Sequence, residues 1–248
     1  MKLHMMTWNC NLYKEDPGLI NWERYNSIKN IIKGRLELEN SIVVLQEIPY
    51  KSNVTWEIHP IYKKLLVDFP KEKYKILHTI SEKNQIMMTI IIFKKDDFEE
   101  MNESENNNRI VFCRKEEITF IGAHMPTNFK MKKGDNDKQK KEKEWKAGVW
   151  NKLIEFARLQ KITNKKMIIL GDFNAFIGCE DTLTESKFID LHRCATDIIP
   201  DNIPTYVGGT SIDHIFVNFG IESKYQYHIG NDDYKLSDHK YIALDMEV

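Results

Sequence analysis

MIILGDFN, residues 167–174, is the stretch on which the fold turns. Residues 167–170 are an unbroken apolar run of the length and type that lies buried in a sheet. The run breaks off at Gly171 and delivers Asp172, Phe173 and Asn174 to a turn. A strand tip is rigid, and rigid tips are where groups can be held to a fraction of an ångström. Taken alone, Asp-Phe-Asn is also an ordinary turn in which Asp or Asn bonds its own backbone.

The pattern recurs on both sides of this stretch. MMTWN ends at Asn9, VVLQE at Glu47 and FIGAH at His124. SIDHIF sets Asp213 inside a strand, and LSDH sets Asp238 and His239 just before the last one. Each has a bland explanation: Glu47 as a strand terminus, His124 as a satisfied core histidine, Asp213 as a structural ion-pair partner. Their joint recurrence is what points to a site.

Between the tips the periodicity changes. Ile28, Ile31, Ile32 and Leu36 fall at helical spacing and predict a helix over 21–39. Further helices are expected over 56–69, 138–161 and 181–194, the third with Trp145, Val149, Leu153 and Phe156 on one stripe. Strands are expected at 3–8, 41–47, 74–80, 86–93, 109–113, 117–124, 211–218, 224–229 and 240–247, with 96–108 a solvated loop. Adjacent strands mixed with intervening helices fit a mixed-sheet α/β protein. No Pro/Gly/Ser-rich linker interrupts the order, so residues 1–248 read as a single domain.

The composition narrows the classes. A formal net charge of −1 gives no global basic field to attract a polyanion. The longest apolar run, 86–93, is interrupted by Thr89 and too short to span a bilayer. The chain opens directly into a strand pattern with no secretory leader, and its four cysteines are scattered without a CxxC pair. A cytoplasmic protein with reduced thiols is the expectation.

A pocket built from these tips would be rich in carboxylate oxygen and imidazole. Such donors suit Mg²⁺ or Mn²⁺ rather than zinc. A hard cation neutralises charge on phosphate oxygens, a carboxylate takes a proton from water, and an imidazolium steadies the phosphorane. The parts are those of metal-aided phosphate-ester hydrolysis.

Together, TWN at 7–9, LQE at 45–47, HMP at 124–126, GDFN at 171–174, SIDHIF at 211–216 and SDH at 237–239 resemble the endonuclease/exonuclease/phosphatase superfamily of DNase I-like hydrolases. The resemblance implies a four-layer α/β/β/α sandwich of two mixed β-sheets flanked by helices. It implies Glu47 as the main Mg²⁺ ligand with Asn9 and Asp238 nearby, and Asp172 positioning or deprotonating the attacking water. Asn174 would orient water and phosphate, His239 would sit on the scissile phosphate held by Asp213, and His124 would contact another oxygen or the leaving side.

The superfamily's substrates range from DNA to lipid headgroups, so the fold does not choose among them. His124 stands where abasic-site endonucleases commonly carry tyrosine, and their tryptophan-bearing loop near SIDH is not evident. A nuclease cleaving DNA leads. The alternatives are a phosphodiesterase or phosphatase of a small molecule or lipid headgroup, and an inactive binding module. Lys130, Lys132 and Lys133, with Lys138, Lys140, Lys141, Lys143 and Lys146 beyond them, suit a phosphate backbone. Asp135, Asp137, Glu142 and Glu144 dilute them, and a solvated helix face accounts for the run equally well. Trp145 and Trp150 read as core packing, and Thr205–Tyr206 as a substrate-contact loop.

Overall fold

The computed structural model describes residues 1–52, 55–78, 86–101, 108–127, 129–132, 134–200, 202–220 and 225–248. Two six-stranded sheets lie face to face. The first is built from β1 (Lys2–Asn9), β2 (Ser41–Pro49), β3 (Tyr74–His78), β4 (Met87–Lys94), β11 (Tyr225–Gly230) and β12 (Tyr241–Glu247), in the order β11-β12-β1-β2-β4-β3. The second contains β5 (Glu99–Glu100), β6 (Ile110–Lys115), β7 (Ile118–His124), β8 (Lys166–Asp172), β9 (Thr196–Asp197) and β10 (Asp213–Val217), in the order β5-β6-β7-β8-β10-β9. The central pairs β1–β2 and β7–β8 are parallel and the remaining pairs antiparallel, so both sheets are mixed.

Period-two alternation explains the layers. Leu3, Met5, Ile42, Val44, Phe120, Ile168, Leu170, Ile215 and Val217 point inward and form the core between the sheets. Residues of opposite parity on β1 and β2, including Met6, Trp8, Val43 and Leu45, pack against Ile28 and Ile32 of α1 (Trp22–Leu36) and Leu65 of α2 (Pro60–Asp68). Ile121, Ala123, Ile169 and Phe216 pack against Trp150 and Leu153 of α3 (Asp137–Ile162) and Phe188 of α4 (Thr182–His192). The result is the expected four-layer sandwich.

Several boundaries differ from the sequence reading. The second helix begins at Pro60 rather than 56, because His59 caps it with its ring nitrogen and proline is suited to the first helical position. The third begins a residue earlier than read, where Asn136 and Gln139 form a reciprocal capping box. Trp145 is not core: it is 42 % exposed, whereas Trp150 is fully buried with its Nε1 donating to the Pro126 carbonyl. Glu99–Glu100 forms a short edge strand inside the stretch read as loop, and residues 79–80, 102–107 and 224 lie outside the described residues. Among the described residues no helix is long and apolar enough to cross a membrane.

Two glycines separate space from fold. A Cβ at Gly171 would lie 1.9 Å from the Ala123 carbonyl oxygen on the paired strand β7. A Cβ at Gly148, on α3, would meet nothing within 4 Å. Gly171→Ala is therefore expected to destabilise the protein by about 3 kcal/mol or more, as overpacking against backbone does. Gly148→Ala should instead stabilise it by roughly 0.5–1 kcal/mol through helix propensity. Urea unfolding midpoints check both signs.

Candidate active site

The inward-facing rows of both sheets turn polar at one end. On β1 the row Leu3, Met5 continues to Thr7 and Asn9; on β2, Ile42 and Val44 continue to Gln46. On β7 the row ends at His124, on β8 at Asp172, and on the antiparallel β10 it begins at Asp213. His124, Asp172 and Asp213 occupy one rung, His124 beside Asp172 and Asp213 opposite it. All three are buried.

Glu47 reaches the site by an exception to alternation. Parity assigns it to the outer face with Val43 and Leu45. The β2–β4 register shifts between Leu45 and Ile48, and Glu47 adopts a left-handed conformation at φ 56°. Bulges re-aim side chains in this way, and non-glycine residues held there carry strain. The redirected carboxylate stands 3.8 Å from His124 Nε2.

Asp172 is the hub. Its Oδ2 accepts from Asn9 Nδ2 at 2.9 Å, a bond that crosses from one sheet to the other. Its Oδ1 accepts from the Asn174 backbone N–H at 2.8 Å, and Asn174, left-handed at φ 50°, also donates Nδ2 to the Met125 carbonyl. Both imidazoles face the same Oδ2, His124 Nε2 at 3.7 Å and His239 Nε2 at 3.8 Å.

The two imidazoles differ in charge state. Burial, reinforced by Arg109 and His239, holds His124 well below the usual histidine pKa, so it is neutral. Arg109 donates to its Nδ1 at 2.8 Å. His239 is pushed up to about 10: burial works against its charge, but Asp213 and Asp172 outweigh it. Its Nδ1 lies 2.9 Å from Asp213 Oδ2, and its backbone carbonyl accepts from Trp8 Nε1 and Asn231 Nδ2. Burial also raises the Asp172 carboxyl, to about 7, with Asp213 adding to the rise while His239 and Asn9 oppose it.

Asp238 stands at the half-open rim. Its Oδ1 accepts from Asn11 Nδ2 at 2.9 Å and its Oδ2 lies 3.9 Å from Lys14. Burial raises the pKa of Glu47, opposed by Lys14, Asn9 and His239, with Asp238 adding to the rise. Asn9 turns its nitrogen to Asp172 and its oxygen to the Asn11 N–H, so it ties Asp172 to the Asn11 backbone. Asn11 Oδ1 is buried without a hydrogen-bond partner. Glu47, Asp238 and that orphaned oxygen are oxygen donors of the kind a hard divalent cation takes. Ligand atoms of Asp172, Asp213 and His239 also lie within 4.8 Å of one another. That trio, in which Asp213 Oδ1 is buried without a hydrogen-bond partner, is a second group able to hold a metal ion.

Arg109 and Asn11 were absent from the sequence-based set. Nothing local marks Arg109, a charged residue just before a strand. Asn11 had a faint signal in its place two residues beyond Asn9.

The chain matches no protein-family sequence model and no curated protein sequence. Solved structures match it along its whole length. A 3′ phosphatase, NExo, from Neisseria bound to a product DNA hairpin is 18 % identical at a TM-score of 0.64, covering 99 % of this chain and 100 % of its own. An AP endonuclease from Archaeoglobus fulgidus is 14 % identical at 0.65, with coverage of 99 % and 100 %. An endonuclease/exonuclease/phosphatase from Bacteroides vulgatus is 15 % identical at 0.63, with coverage of 100 % and 99 %. The chain has the endonuclease/exonuclease/phosphatase fold. In this DNase I-like sandwich the polar ends of both inner sheet faces meet at Asp172.

Raised pKa values at Asp172 and His239 have the same sign in stability. Between the ordinary carboxylate range near 4 and about 7, the folded chain keeps a proton at Asp172 that the unfolded chain has lost. Between the ordinary histidine value near 6.5 and about 10, it keeps one at His239. Without divalent cations, both contributions to stability are therefore expected to decline as pH rises through their windows. Asp172→Asn should flatten the lower window and leave a decline in the upper one. Melting temperatures in EDTA from pH 4 to pH 10 test this.

Proposed function

We propose that the chain is a metal-dependent hydrolase of phosphate esters, acting by in-line attack of water, with DNA phosphodiesters as its principal substrate. The observation that carries this reading is the buried Asp172 carboxylate facing one neutral and one charged imidazole.

Asp172 combines a high proton affinity with fixed hydrogen bonds, which suits it to orient a water molecule and take its proton as the oxygen attacks phosphorus. His239, held by Asp213, donates to a phosphoryl oxygen on which charge grows. Neutral His124, backed by Arg109, offers a second donor at another oxygen or the leaving side. Asn174, fixed in its turn, orients water and phosphate. The P–O bond to the leaving alkoxide breaks without a covalent enzyme intermediate. When bound at Glu47 and Asp238 with the Asn11 oxygen, beside Asn9, Mg²⁺ or Mn²⁺ supplies neutralisation of phosphate charge.

Support for DNA comes from the neighbours: NExo is bound to a DNA hairpin, and another neighbour is an AP endonuclease. Lys130 and Lys132 line a groove of about 390 Å³ with Lys143 and the start of α4, a path for a phosphate backbone. Lys133 lies outside the described residues. Glu180 and Asp181 share that groove, and this mixed charge favours the second reading, a small phosphoester as substrate.

With Mg²⁺, purified protein is expected to degrade duplex or single-stranded DNA faster than RNA or small phosphoesters. Hydrolysis confined to small phosphoesters would remove the DNA reading. Asp172→Asn and His239→Ala should each lower kcat by on the order of 10³-fold with folding retained, and EDTA should stop turnover. Wild-type rates in either folded variant, or full activity in EDTA, would sink the mechanism.

A further inference from the structure

Asp213 and His214 are neighbours on β10, so their side chains enter opposite faces of the sheet. Asp213 enters the site. His214 enters the layer under α4, where its ring is fully buried 4.8 Å from the Phe188 ring, 5.8 Å from Phe173 and 6.0 Å from Phe216. Its Nε2 lies 3.0 Å from the Ala175 carbonyl, which only accepts, so Nε2 carries a hydrogen. Its Nδ1 lies 2.6 Å from Asp197 Oδ2, on a side chain only 5 % exposed. Burial opposes charge on this ring, but the Asp197 bond, the Asp197 charge and the Ala175 carbonyl outweigh it and hold its pKa above the ordinary value.

An ion pair in an apolar layer is rarely the cheapest way to fill the space; packed hydrophobic residues of the same volume usually stabilise as well or better. The pair's position suggests its use. Ala175 directly follows Asn174, whose left-handed backbone presents its N–H to Asp172 Oδ1. We infer that the His214–Asp197 pair is a positioning device, gripping the Ala175 carbonyl from behind and fixing the 172–175 turn in the geometry that aims Asp172 and Asn174 into the site. Neither residue touches the seam where the substrate would lie. The pair links β9, β10 and the turn after β8 into one unit, and β9 has only two residues with which to hold its edge.

For turnover this inference rests on the hydrolase reading, so two measurements are needed. His214→Phe keeps an aromatic ring and loses both bonds; His214→Gln keeps an amide able to donate to Ala175. On a DNA substrate with Mg²⁺, His214→Phe is expected to lower kcat by on the order of 10²-fold, the scale of a 1 Å misplacement, with KM changed less than about threefold. His214→Gln should recover most of that loss. In metal-free protein, amide hydrogen exchange at Asn174 should quicken by about tenfold or more in His214→Phe, while Met6 and Val44 keep wild-type protection. Should His214→Phe fail to fold, Asp197→Ala, which removes the partner of Nδ1, carries the same two readouts. Wild-type kcat together with wild-type Asn174 protection would overturn the inference, as would protection lost evenly through both sheets. A wild-type protein inactive on every phosphoester would remove the hydrolase reading, leaving the exchange measurement to decide this one.

Discussion

The structure depends on compensating one buried carboxylate. Asp172 is completely buried between two sheets, where an unpaired charge would cost several kcal/mol. Its compensating groups come from separate parts of the chain: Asn9 from the opposite sheet, the Asn174 N–H from its own turn, and the imidazoles of His124 and His239. The apolar core between the sheets has no directional preference, so it does not by itself fix their relative position. The Asn9–Asp172 bond does so at the site end. The segment before β12 is fastened there too, by Ser237 Oγ donating to the Asn9 carbonyl and Trp8 Nε1 donating to that of His239.

Placing Asp213 opposite Asp172 across an antiparallel pair is repulsive in itself. The His239 ring between them turns repulsion into a reason for protonation: two anions hold one imidazolium more firmly than either would alone. On the other side, burial holds His124 neutral and Arg109 adds positive charge beside it. The two histidines thus differ because burial and Arg109 act on one and two carboxylates on the other, although both face the same carboxylate oxygen.

Much of this was legible because strands alternate. A row that starts with Leu3 and Met5, or Ile168 and Leu170, must arrive at Asn9 or Asp172 on the same face, and the motifs could be read as row ends. Glu47 obeys no such rule, since a left-handed residue at a bulge moves it across, and nothing in SIVVLQE announces that bulge. Local punctuation is legible in the sequence: Pro60 marks a helix start, and Asn136 with Gln139 marks another. Trp145 kept the helical stripe and still faces out, because the stripe gives an angle while burial depends on where the sheet ends. His214 directly follows Asp213 in the sequence. Alternation alone requires that it find a partner on the far face, and that partner, Asp197, lies on a two-residue strand with no periodic signal.

The charge balance of the site bears on its chemistry. Glu47, Asp172, Asp213 and Asp238 are set against Arg109 and His239, with Lys14 at the exposed rim. Carboxylates outnumber the buried cations before any phosphate arrives, and a phosphate ester entering as an anion deepens the excess. The proton at Asp172 offsets part of it, yet a water molecule can be deprotonated only if Asp172 gives that proton up. Under the proposed reading, the positive charge that replaces that proton enters at Glu47 and Asp238, beside the unpaired Asn11 oxygen. Its arrival would lower the proton affinity of Asp172 by simple electrostatics, so that substrate, cation and a working base would appear in the site together.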